Sequence, residues 1–193
     1  MTIRVGLRMT RLRHFPMRVT MFRSRRTAGR GAVDVRCFVA CELDEAAKAA
    51  IGELQSKFSG LDRAVRWTRP DQMHLTLKFL GQVPEARVPA VARAVQDATA
   101  GCQPFRFRIA GLGCFPPTGR MVRIVWIGVQ EDGGLQRCFE AVEVALWRLG
   151  FAREPRAFTP HLTIGRVKDG SASSAIRHQI SAMRFAGYEQ AVS

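Results

Sequence analysis

The chain has 193 residues, 47% of them hydrophobic, and a formal net charge of +14, which is enough for one well-buried globular domain. No apolar run approaches the ~20 residues that span a membrane, and the five cysteines, odd in number and without a C-x-x-C pair, suggest neither a disulfide framework nor a zinc knuckle. The pattern fits a soluble chain in the reducing cytoplasm, with no membrane partner.

Nine of the positive charges fall in residues 2–33, as Arg4, Arg8, Arg11, Arg13, Arg18, Arg23, Arg25, Arg26 and Arg30, with no acid among them, so the rest of the chain is only mildly basic. The segment lacks the roughly 7–15-residue apolar core of a secretory signal. Residues 1–33 read as a basic, disordered extension. It is open whether they are a solvated tail that attracts phosphate, a transit-like peptide, or the result of a start codon set too far upstream of Met9, Met17 or Met21.

From Val35 the pattern alternates between strand and helix. Val35, Cys37 and Val39 read as a buried strand, and Ala47, Ile51, Leu54 and Phe58 recur at helical spacing. A short strand over residues 65–68 leads through the turn signal Arg69-Pro70-Asp71 into a strand over residues 73–80. Val88, Val91, Ala92, Val95 and Ala98 mark the next helix, after which Phe105, Phe107 and Ile109 alternate with Arg106 and Arg108, predicting a strand with one buried and one basic face suited to an RNA backbone. Gly111-Leu112-Gly113 lacks the context of a phosphate loop and reads as a turn. Residues 121–129 read as a strand, and Leu135, Phe139, Val142, Leu146 and Leu149 as a helix stopped by Gly150. A strand over residues 158–167 and a weaker helix over residues 173–183 follow.

Two of these strands carry the same tetrapeptide, His74-Leu75-Thr76-Leu77 and His161-Leu162-Thr163-Ile164, 87 residues apart. Alternation along a strand puts each His beside its Thr on one face and the two apolar residues on the other. Histidine changes charge near neutral pH, so two of them across a cleft can divide acid and base duties, and each hydroxyl can donate to a phosphate oxygen. Alternation also puts Lys78 on the polar face, whereas Arg166 reaches that face only if a bulge intervenes. His14 and His178 read as surface residues; Trp67, Phe115 and Trp126 could stack a base, though buried aromatics are the commoner case.

The flanks extend the likeness. Val65-Arg66-Trp67-Thr68-Arg69-Pro70-Asp71-Gln72-Met73 precedes the first copy and Lys78-Phe79-Leu80-Gly81 follows it; Glu154 to Pro160 precede the second and Gly165-Arg166 follow it. With Cys37-Phe38-Val39-Ala40 and Gly111-Leu112-Gly113-Cys114-Phe115-Pro116, the chain from about Arg36 to Val167 resembles the two-histidine phosphoesterases, in particular the bacterial and archaeal RNA 2′,3′-cyclic phosphodiesterases once called 2′-5′ RNA ligases. The resemblance implies an α+β domain over residues 34–193, with two pseudo-symmetric lobes of mostly antiparallel sheet and outer helices around a central cleft. It implies that His74 is the proton donor and His161 the proton acceptor, that Thr76, Thr163 and Arg166 bind phosphate, with Lys78 a further phosphate ligand by its strand spacing alone, and that no metal or other cofactor is needed. The expected partner is RNA with a 2′,3′-cyclic phosphate end, or a cyclic nucleotide, bound by a monomer. Ligation through a 2′-5′ bond, or a non-catalytic RNA- or nucleotide-binding module, would use the same cleft. The family continues with another strand where this chain stops at Ser193, so the domain is expected to lack its last strand.

Overall fold

The computed structural model describes residues 17–23 and 34–192. In chain order the elements are β1 (Met17–Arg23), β2 (Asp34–Glu42), α1 (Glu45–Ser56), β3 (Val65–Trp67), β4 (His74–Pro84), α2 (Val88–Ala100), β5 (Phe105–Phe115), β6 (Ile124–Glu131), α3 (Gly134–Arg148), β7 (His161–Val167), α4 (Ser173–Ala182) and β8 (Tyr188–Val192). The strands form two antiparallel sheets, ordered β1-β2-β4 and β3-β7-β6-β5-β8. This is the expected α+β class with one motif strand in each sheet, although the lobes are unequal in size.

Local sequence explains the elements. Asp44 caps α1 by accepting from the Ala47 amide at 2.7 Å, and Ala47, Ile51 and Leu54 then bury one face of the helix. Gly150, at φ +86°, ends α3 as the helix-stop signal predicts. The buried faces of both sheets and of α1, α2 and α3 join in one apolar cluster that includes Val39, Ile51, Leu75, Phe107, Ile127, Leu135, Leu162 and Ile164. Helices α2 and α3 pack on each other, α2 also against β1 and α3 against β4, β5 and β6. Helix α1 packs on β8 and the Pro70 turn, and α4 on β5. The lobes are therefore not sequence halves: α1 and β3, both early in the chain, belong to the second sheet.

Two expectations need correction, and the sequence did not signal β8. Residues 17–23, assigned by composition to a disordered extension, form β1 and pair with β2 from Met17↔Cys41 to Arg23↔Val35; the edge of β2 offers backbone partners that composition alone does not reveal. The remainder of the predicted extension lies outside the described residues. Near the other end of the described residues, β8 pairs with β5 from Tyr188↔Ile109 to Val192↔Phe105. Only five residues long, it turns the polar Gln190 inward, where the side chain donates to the Glu42 carbonyl (2.9 Å) and accepts from the Asp44 amide (3.1 Å), so it has no apolar alternation to detect. Finally, Gly111-Leu112-Gly113 lies within β5, where Gly111 at φ +77° accommodates a register shift between Ile109 and Leu112 in place of a turn.

Candidate active site

The two tetrapeptides begin β4 and β7, and in both the residues follow the predicted alternation: Leu75 and Leu162 are buried, while His74, Thr76, His161 and Thr163 are half-buried. All four polar residues line one cleft of about 1330 Å³. The two rings are anchored identically. His74 Nδ1 lies 2.9 Å from the Gln72 carbonyl and His161 Nδ1 2.9 Å from that of Thr159, in each case the carbonyl two residues upstream. A carbonyl only accepts, so Nδ1 carries the hydrogen and proton exchange falls to Nε2 on both rings.

Both strands contain a register shift after the threonine. On β7 the pairing passes from Trp126↔Thr163 to Val125↔Gly165, leaving Ile164 as an extra residue. Arg166 is thereby returned to the face of His161 and Thr163, and it lines the cleft. On β4 the pairing passes from Ala40↔Thr76 to Val39↔Lys78, with Leu77 extra. The same device has the opposite effect there, because Lys78 now lies opposite the fully buried Val39. Its ammonium is 2.5 Å from Glu143 Oε1 on α3 and donates to the Ala152 carbonyl at 2.7 Å, while Glu143 Oε2 accepts from the Glu154 amide at 3.1 Å. Lys78 is thus a buried clamp on the segment that leads to the second motif: it borders the cleft, but with its ammonium held by Glu143 and the Ala152 carbonyl, because strict alternation does not hold across a bulge.

Aromatic rings support the histidines differently. Phe38 stacks on His74 with ring centroids 4.5 Å apart and planes 23° apart. Phe115 meets His161 edge-on at 5.2 Å and 80°, and Trp126 lies 6.4 Å away. Trp126 itself covers Gly113, where an added Cβ would come within 2.1 Å of the indole. Trp67 and Phe115 line the cleft, as do Phe38 and the exposed Phe79. Arg106 and Arg108 do not contribute to it; Arg106 pairs with Glu189 at 2.7 Å and Arg108 donates to the Ala186 carbonyl, so both serve the β5–β8 edge.

Sequence reasoning passed over Arg36 and Arg66, which also line the cleft, and Gln55, whose amide donates to the carbonyls of Thr68 (2.9 Å) and Ile164 (2.8 Å) and so braces the β7 bulge. No periodicity signals Gln55, because its contacts depend on where α1 docks. The single acid among the described lining residues, Glu154, pairs with Arg156 at 2.7 Å, which holds its carboxyl below the usual range. The cleft is cationic. Among the described residues no three His, Cys, Asp or Glu side chains gather as a metal site requires, and no helix is long and apolar enough to cross a membrane.

Paired imidazoles with flanking hydroxyls, one set from each of two sheets around a cationic cleft, define a two-lobed phosphoesterase of the two-histidine type. Comparison with known proteins agrees. A family model described as LigT like Phosphoesterase matches residues 42–126. A Methanothermobacter thermautotrophicus protein named RNA 2′,3′-cyclic phosphodiesterase is 35% identical over 134 residues, covering 69% of this chain and 72% of that protein. An Archaeoglobus fulgidus protein of the same name is 37% identical, covering 69% and 73%. The crystal structure of a Thermus thermophilus protein superposes with a TM-score of 0.65 at 28% identity over 81% of this chain and 84% of that one. The crystal structure of E. coli LigT complexed with 3′-AMP shares the fold, with a TM-score of 0.61 at 23% identity over 83% and 84%. The chain belongs to the LigT-like, two-histidine phosphoesterase family.

Proposed function

We propose that the cleft hydrolyses the 2′,3′-cyclic phosphodiester ends of RNA to 2′-phosphomonoesters by general acid–base catalysis, with His74 as proton donor and His161 as proton acceptor. The observation that carries this reading is the matched pair of imidazoles, each held through Nδ1 and each facing the same cleft from a different sheet. His161 Nε2 takes a proton from water as its oxygen attacks phosphorus; the P–O3′ bond breaks, its electron pair stays on O3′, and O3′ is protonated from His74 Nε2. The P–O2′ bond survives, which leaves the phosphate on the 2′ position. Thr76 and Thr163 donate to the non-bridging oxygens as charge builds on them, and Arg166 adds a cation beside Thr163. No metal or other cofactor has a step in this scheme.

The division of roles has support in the surroundings of the rings. The face of Phe38 under His74 stabilises positive charge on that imidazole, by about 0.5–1 kcal/mol for contacts of this kind, which suits the ring that must begin the cycle protonated. The relatives' names favour an RNA cyclic end as substrate, and since every side chain in the scheme comes from one chain, we assign the activity to a monomer acting in the cytoplasm.

The test is a product assay on RNA with a 2′,3′-cyclic end in excess EDTA. Turnover with a bell-shaped pH profile is expected, falling by about 10²–10⁴ in either His74→Ala or His161→Ala. Robust hydrolysis by the double variant, or a requirement for added metal, would refute the scheme; binding without product, tolerant of His→Gln changes, would identify a binding module instead.

A further inference from the structure

We propose that Lys78, Glu143 and Phe139 are positioning residues for His161: they fix residues 152–159 against α3, and the Thr159 carbonyl then keeps His161 in the tautomer that can accept a proton. The proposal rests on the hydrolytic reading above for the task of His161.

Residues 152–159 belong to no helix or strand and residues 152–157 are all exposed, yet Glu154, Arg156, Phe158 and Thr159 line the cleft. A stretch of this kind has few contacts to hold it in one conformation. Those it has come from one row of α3, because Phe139, Glu143 and Trp147 are four residues apart and share a face. Phe158 stacks on Phe139 with ring centroids 4.3 Å apart and planes 7° apart, the Glu154 amide donates to Glu143 Oε2 at 3.1 Å, and Arg153 lies over the Trp147 ring at 5.3 Å. The segment thus runs antiparallel along the helix. Lys78 joins from β4, donating to the Ala152 carbonyl at 2.7 Å and to Glu143 Oε1 at 2.5 Å.

Stability by itself does not account for charges at this point. Lys78 is 6% and Glu143 7% exposed, and a buried ion pair is commonly replaced by apolar residues without net loss of stability. What an apolar pair cannot supply is the two hydrogen bonds to the backbone of the segment. They matter because of where the segment leads. Thr159 is two residues before His161, and its carbonyl, 2.9 Å from Nδ1, requires the hydrogen there and leaves the Nε2 lone pair free to take a proton. Once Thr159 drifts, the hydrogen can settle on Nε2 instead, and a neutral ring so protonated is the wrong tautomer for a base at that nitrogen. His74 has no such dependence, because the carbonyl that anchors it belongs to Gln72, in the short turn Pro70–Gln72. The tie therefore acts on one histidine of the two.

The experiment records imidazole nitrogen chemical shifts, which distinguish the tautomers, at a pH where both rings are neutral, together with kcat and KM on a nucleoside 2′,3′-cyclic phosphate. It compares the unaltered protein with Lys78→Met/Glu143→Leu, which fills the same space without the two hydrogen bonds, and with Phe139→Leu, a milder change at the second tie. Both rings of the unaltered protein are expected as Nδ1–H. The double variant should leave His74 so and convert His161 to a mixture, with kcat lower by about 10–10²-fold and KM within about threefold; Phe139→Leu should shift the same ring less. An Nε2–H His161 in the unaltered protein, an unchanged His161 in the double variant, or an equal change in both rings would overturn the proposal whatever happens to kcat. A His161 mixture with unaltered kcat would support the tie and overturn the assignment of His161 as base. If the unaltered protein turns over no substrate, the hydrolytic reading fails and the shifts alone decide whether the tie holds Thr159. Should the double variant not fold, Phe139→Leu decides by the same shifts.

Discussion

Each threonine in the paired motifs presents one hydroxyl to the cleft, so Thr76→Val and Thr163→Val remove a donor without changing shape. Each is expected to lower kcat on cyclic-ended RNA by about 10²–10³, as loss of an oxyanion-hole donor does, with unchanged thermal stability as the control. Phe38→Leu keeps a buried apolar residue but removes the ring face under His74, and should cost about two- to fivefold in kcat/KM, the equivalent of 0.5–1 kcal/mol. Burial pushes the Cys37 thiol up to about 11, and burial with the adjacent Glu42 carboxylate pushes Cys41 up to about 12, against a usual 9. Because the folded values lie above the unfolded ones, the contribution of these thiols to stability is complete below pH 9 and is lost as the pH climbs toward 11–12. Disulfide-exchange labelling of the native protein at pH 8 should therefore miss both residues, and rapid modification would contradict their burial.

At the level of elements, the two bulges matter most. They occur at the same motif position, yet one leaves Arg166 exposed in the cleft and the other buries Lys78 at the cleft wall, paired with Glu143, and the difference is what each strand meets beyond its neighbour. Across β4 lies α3 with Glu143, so Lys78 is worth more as a buried clamp than as a surface cation. Removing one partner leaves the other charge uncompensated: Glu143→Gln and Lys78→Met should each destabilise by about 3–5 kcal/mol in chemical denaturation, and the apolar double variant Lys78→Met/Glu143→Leu by less than either. An additive double variant would show that the pair is not coupled. Alternation along each strand was legible in the sequence and located all four His and Thr side chains in the cleft. The register shifts were not, because a bulge is set by pairing with a neighbour whose identity the strand's own residues do not encode; for Arg166 the need for one could be stated in advance, whereas for Lys78 nothing signalled it.

Over the whole molecule, the chain crosses between lobes instead of completing one before the next, with β3 and α1 committed to the second sheet and β8 tied back to the β2–α1 junction through Gln190 and through Tyr188, whose hydroxyl donates to Asp44 at 3.0 Å. Strand β1 has the same stitching role at the opposite edge. Deleting residues 1–16 leaves its seven-residue pairing with β2 in place, whereas deleting residues 1–33 exposes that edge, and only the longer deletion should lower Tm, by about 4 °C or more; equal Tm values would deny β1 a part in the fold. The sequence by itself determined the elements with strong periodicity, the α+β class and the paired His-x-Thr faces, because these depend on spacing within a single segment. Only the tertiary structure decided which strands adjoin, that the termini add β1 and β8, and that Lys78 is neutralised, because charge and register are properties of segments brought together from distant parts of the chain.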